Sequence, residues 1–445
     1  MAGPMAAGPG SSVSIGKMLG TWRWKLVATS MLLWWTIGQF DKINISLVIA
    51  DKGFLDEFHM HGRFSDLGLL MSAFFVGYGV SIFFWGLLVD RFGARACLIA
   101  GTVGWAVVMV YMSRATSFQD MVIARVLLGV AEGNMWPVSN SLTNRWFPSR
   151  EHSRAQTFWL TGPSLGTALG VPLVSALIVG SNWRGMIVAL AGISLIPLIN
   201  FYFIRNTPQD QQGLDPREVA DIEADRKQER AVVKMSFGDL LRSGSFWIIT
   251  LCTIISVTTI FTMITWTPKF VIEQRGLSRP EMSTWLAVGY LLAVPLTVLV
   301  GVIADRTMKR SLTAMATCMT FVIVVLPAAH WGPAAVSAVL LAALTAVPCG
   351  IAALNGALLH TLVRPEAIAR GTGIYMCVGS LFSAIGPWAF GKLIAAAGGA
   401  YWGGFLFLLL MNALGAICYF TLHRIAIRDR ESALAVAQLS ASGAD

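Results

Sequence analysis

Apolar residues run along this chain in long, nearly unbroken stretches separated by short polar breaks, with neither strand-like alternation nor a one-sided helical stripe. Stretches of that kind predict bilayer-crossing helices, which need about 20 predominantly apolar residues each. Six fall near 26–50, 67–89, 96–113, 119–140, 155–179 and 185–204. After a polar stretch from Arg205 to Ser245, six more fall near 246–272, 284–304, 312–331, 334–362, 371–397 and 401–423. The pattern predicts an all-α membrane protein of twelve transmembrane helices, spans 1 to 12, in two six-helix halves. The halves are 21–204 and 246–424, joined by a linker over 205–245 in which 216–230 reads as a short surface helix. A Gly/Ala/Ser-rich segment, 1–20, is expected to be mobile, and the polar tail 425–445 to be loosely ordered. The first run is too long for a signal peptide and carries Asp41 and Lys42 in its middle.

Composition sharpens this picture. The chain is 55% hydrophobic and only 13% charged, where ordinary globular domains carry about 25% charged residues. A soluble protein of this size could not cover its surface with so few charges. The six cysteines (97, 252, 318, 349, 377 and 418) stand singly in apolar stretches, so neither a metal site nor a redox motif is expected. The net charge of +9 invites a nucleic-acid reading, but its distribution argues against one. With the N-terminus inside, the inner loops and tails hold 23 Lys/Arg and the outer loops only 6: Lys52, Arg63, Arg114, Arg184, Arg275 and Arg279. The excess therefore sets topology, with both termini cytoplasmic in an inner membrane.

The loop after span 2 reads GLLVDRFGAR (86–95), and the loop after span 8 reads GVIADRTMKR (301–310). Both contain G-x-x-x-D-R at the same place in each half, 215 residues apart, as two parallel repeats should. With these loops in place, residues 20–425 resemble the major facilitator superfamily, whose inner-loop motif is similar. The resemblance implies gating roles for Asp90, Arg91, Arg95, Asp305 and Arg306, which would hold the halves together on the cytoplasmic side when the carrier faces outward. Three further stretches, FDKINISLV (40–48), ARVLLGVAEGNMWP (124–137) and WTPKFVIEQRGLS (266–278), resemble the anion:cation symporter family. That family takes sugar acids, dicarboxylates, aromatic acids and related anions.

Charges inside spans 1 and 4 point the same way independently. Each costs about 2.5–3.5 kcal/mol at membrane depth on insertion scales, so a function is the default reading. Arg125 and Glu132 are seven residues apart, which puts both on one helix face about 10 Å apart. Lys42 and Arg125 suit an anionic carboxylate, Arg as a planar fork and Lys as a point charge. Asp41 and Glu132 are the expected proton-coupling groups: an anion competing for the cations would favour proton uptake. A plain structural pairing of Asp41 or Glu132 with Arg125 is the alternative. The family's usual residue at position 42 is Arg, so Lys42 is a departure.

Further substrate-binding candidates are Tyr78 in span 2, Gln39 in span 1, Trp266 in span 7, Asn355 in span 10 and Ser380 in span 11. The family commonly has Asn where Ser380 stands and often Tyr where Gln39 stands. Lys269 and Lys392 lie near span ends and are expected to snorkel to the interface. Gly162, Gly166 and Gly170 in span 5 predict close helix packing, while Gly379, Gly386, Pro387 and Gly391 permit a bend in span 11. No phosphate-binding glycine loop, cofactor motif or nucleophile–base pair is present.

These readings converge on a secondary active transporter and not an enzyme: a monomer in the lipid bilayer, importing a small organic anion with protons by alternating access. A proton-driven drug antiporter is the alternative, raised by the Gly-Pro stretch of span 5. So is an organic anion exchanger or uniporter independent of protons.

Overall fold

The computed structural model describes residues 21–211, 214–229, 241–307, 309–362 and 368–442, and among them the chain is helical with no strand. The expected mobile segment 1–20 lies outside the described residues. Among the described residues, ten helices are long and apolar enough to cross a membrane. The two expected spans missing from those ten are spans 1 and 4, the ones whose apolar runs are interrupted by buried charge. Span 1 is a π-helical turn, Arg23–Ala28, continuing into Thr29–Val48. Span 4 is two helices, Phe118–Glu132 and Met135–Trp146, so the continuous helix expected over 119–140 breaks beside Glu132.

Other spans also depart from straight rods. Span 10 divides into Ala334–Ala343 and Ala346–Leu362, and span 11 into Ile368–Ser383 and Ile385–Ala396, at the Gly-Pro bend. Span 12 runs on as one helix, Trp402–Ser442, into the expected tail. The linker does hold a helix, Pro216–Glu229. Arg23 ties it down, donating from Nη2 to Glu151 at 2.8 Å and from its backbone N–H to Glu218 at 3.1 Å.

Small residues set how closely the helices approach. A methyl group at Gly166 would lie 2.4 Å from the Thr36 carbonyl oxygen, and one at Gly162 2.9 Å from that of Leu32. The span 5 glycines thus seat span 5 directly on span 1, as their spacing predicts. The halves meet along spans 2 and 11 and spans 5 and 8. At the end opposite the linker this contact is tight, with a methyl at Gly68 falling 2.3 Å from the Pro387 carbonyl oxygen. Arg279 donates there to Asp51 of the other half at 2.7 Å. Trp266 donates to the Pro387 carbonyl at 3.0 Å, and its ring and that of Tyr401 lie against Phe64.

Candidate functional site

Spans 1, 2 and 4 bring the predicted charges together in the N-terminal half. Glycines make this possible: a methyl at Gly129 would sit 2.1 Å from the Phe74 carbonyl oxygen, and one at Gly77 2.2 Å from that of Val126. With spans 2 and 4 in backbone contact, the rings of Phe74 and Tyr78 reach the charged groups. Lys42 Nζ lies 5.5 Å from the centroid of each ring, and the Arg125 guanidinium lies 4.9 Å from that of Phe74. Such contacts gain strength when the cation is desolvated, and both cations are buried here.

The pairing differs from the alternative of an Arg125 ion pair. Lys42, not Arg125, forms the ion pair with Glu132, whose carboxylate is fully enclosed. Lys42 also donates to the Gly38 carbonyl at 3.2 Å. Among the described residues Arg125 has no carboxylate partner; it donates to the backbone carbonyls of Leu70 at 3.1 Å and Asp41 at 3.3 Å, and to the Met71 sulfur at 3.6 Å. The physical reason is reach. Span 2 presents the Leu70 carbonyl to the guanidinium, while Glu132, two turns along span 4, meets the ammonium of span 1. Asp41 is buried with Glu132, Lys42 and Arg125 as its charged neighbours. Both its carboxylate oxygens lack a hydrogen-bond partner among the described residues. A buried polar group in that condition is costly.

The remaining candidates scatter. Tyr78 joins the cluster through its ring, stacked on Phe74 at 5.5 Å. Gln39 turns to span 5 and donates to Thr167 at 3.1 Å. Asn355 is engaged inside the other half, accepting from Tyr419 at 2.5 Å and donating to Thr253 at 3.1 Å. Ser380 is buried next to Leu381, where span 11 crosses Gly79 of span 2. Trp266 belongs to the closure at the far end of the bundle, not to the Lys42 cluster. Lys269 does not snorkel: it is buried, pairs with Glu273 at 2.5 Å and lies 5.9 Å from the Phe64 ring of the other half.

At the linker end Asp90, Arg91 and Arg306 are exposed. Arg95 donates to the Tyr202 carbonyl at 2.9 Å, within its own half. The side chain of Asp305 lies outside the described residues. Sequence reasoning missed Phe74, which contacts both cations, and Asn44, whose buried amide has no partner among the described residues. Asn44 lies three residues from Asp41, a helical spacing that could have flagged it.

Residues 27–355 match the model of the Major Facilitator Superfamily. A probable sulfoacetate transporter of Cupriavidus necator is 26% identical over 282 residues, covering 63% of this chain and 65% of that protein. A hexuronate transporter of Bacillus subtilis is 25% identical over 248 residues, covering 56% and 57%. The chain thus spans less than two thirds of the length of these two relatives. A D-galactonate transporter of Escherichia coli is 22% identical over 398 residues, covering 86% and 91%. Among solved structures, a D-xylose–proton symporter superposes with a TM-score of 0.70 at 15% identity, over 88% of this chain and 96% of that one. An inward-facing, occupied bacterial homologue of the human lysosomal transporter Spinster gives 0.69 at 18%, over 89% and 96%. Both likenesses concern the fold.

Proposed function

Because this chain belongs to the Major Facilitator Superfamily, we propose that it is a secondary active transporter carrying a small organic anion together with protons by alternating access. The observation that carries this reading is the enclosed Lys42–Glu132 pair, with Arg125 held beside it by the Leu70 and Asp41 carbonyls, the Met71 sulfur and the Phe74 ring. With no carboxylate partner among the described residues, the Arg125 guanidinium remains available to a carboxylate on the substrate. Lys42 is shared: a substrate carboxylate that draws it away leaves Glu132 buried without its cation, and protonation relieves that cost. Asp41, whose carboxylate oxygens have no hydrogen-bond partner among the described residues, is the second proton site. The four formal charges cancel, so a bound monoanion needs one added proton to restore neutrality.

The substrate class is a carboxylate such as a sugar acid, a dicarboxylate or an aromatic acid. In this reading the linker end is cytoplasmic in an inner membrane, in keeping with its basic loops. Asp90, Arg91, Arg95, Asp305 and Arg306 there pair across the halves only when the opposite end opens. Uptake into proteoliposomes, with a panel of labelled organic acids and an imposed inward proton gradient, tests the proposal. We expect gradient-stimulated accumulation of at least one acid, reduced at least about tenfold by Arg125→Ala, as loss of a charged contact worth about 1.4 kcal/mol or more requires. Uptake of no acid, alongside proton-linked efflux of a preloaded cationic dye, would replace this reading with the drug antiporter.

A further inference from the structure

Away from the charged cluster, spans 8, 9 and 10 enclose a groove of about 550 Å3. Leu296, Leu299, Ile303 and Leu340 line it and remain exposed. It therefore opens on the outer surface of the bundle, where the solvent is lipid. Its four threonines look polar in the sequence, yet none offers a free hydroxyl hydrogen. Thr307, Thr313, Thr317 and Thr320 each donate to the carbonyl four residues earlier on the same helix, at 2.8, 3.2, 2.7 and 3.1 Å. The wall is thus lined largely by hydrocarbon.

Length and charge identify what fits. Span 9 lines the groove from Leu312 to Val324, a rise of about 18 Å, close to the roughly 15 Å depth of one leaflet's hydrocarbon. The mouth lies at the linker end, where Lys309 lines the groove and Arg306 is exposed in the last helical turn before it. The deep end is formed by Leu344 and Ala346, on either side of the break in span 10. We propose that this groove holds an acyl chain of an anionic phospholipid from the leaflet at the linker end, with Lys309 at its headgroup. The tail then fills the space beside the span 10 break, so occupancy bears on how freely that span bends.

The inference stands apart from the transport reading and is tested on the full chain by native mass spectrometry. Detergent-purified protein is incubated with an equimolar mixture of phosphatidylglycerol and phosphatidylcholine of matched acyl chains. One phosphatidylglycerol should be retained per chain, with about fivefold preference over phosphatidylcholine, the factor one surface lysine contributes. Lys309→Glu should abolish the preference without lowering Tm, since Lys309 is exposed. Ala316→Trp, which fills the groove, should displace both lipids. Equal retention of the two lipids by the unaltered protein, or a preference unchanged in Lys309→Glu, would overturn the proposal. So would a dimer mass in place of a lipid adduct, since the occupant would then be a second copy of the chain.

Discussion

Lys42 and Arg125 are both buried cations, yet among the described residues only Lys42 has a carboxylate partner, and this asymmetry gives the site its testable chemistry. Removing one member of a buried ion pair costs about 3–5 kcal/mol because the other charge is left behind. Glu132→Gln should therefore lower Tm measurably and abolish concentrative uptake, whereas Lys42→Met combined with Glu132→Gln should recover the Tm but not the uptake. Recovery of uptake in the double variant would make the pair structural only. The seven-residue spacing of Arg125 and Glu132 is readable in the sequence, and so is their placement on one face. Which cation Glu132 takes is not, because that depends on the Leu70 carbonyl, a backbone group with no sequence signature. Asn44 was legible by its three-residue spacing from Asp41, but that its amide has no partner among the described residues depends on neighbours only the fold supplies.

At the scale of elements, the site exists because spans 2 and 4 touch backbone to backbone. An added methyl at Gly129 has no space, 2.1 Å from the Phe74 carbonyl oxygen and 2.7 Å from the Tyr78 nitrogen. Gly129→Ala should therefore overpack the seam, at a cost of about 1–3 kcal/mol. It should also move Phe74 and Tyr78 off the two cations, weakening substrate affinity. Gly192→Ala is the control, since nothing lies within 4 Å of a methyl there, and its Tm should hold or rise with the better helix propensity. Thermal shift and substrate titration on the two variants check this, and equal behaviour would dismiss the seam argument. The span 5 glycines were legible because three of them repeat at one spacing. The seam at Gly77 and Gly129 pairs single glycines on different helices, a relation that only the fold reveals.

On the scale of the whole molecule, twelve spans and two halves followed from apolar runs and a repeated loop, since lipid tolerates few other solutions. The state of the bundle did not. In the sequence Arg279 counts only as one of six basic residues in the outer loops, yet it spans the halves to Asp51, 228 residues away. That pair, the Trp266–Phe64–Tyr401 aromatic cluster and Lys269 close the far end, while Asp90 and Arg91 stand exposed at the linker end. In the proposed alternating-access cycle this closure breaks whenever the linker end shuts. Arg279→Gln should therefore shift the population toward a far-end-open state by about fivefold, the factor that 1 kcal/mol from a partly exposed pair supplies. Spin labels at His61 and Gln274, exposed on opposite halves at that end, would report the shift as a growing long-distance component. An unchanged distance distribution would show that the aromatic cluster alone holds the end shut. In that case Trp266→Ala, and not Arg279→Gln, should release it.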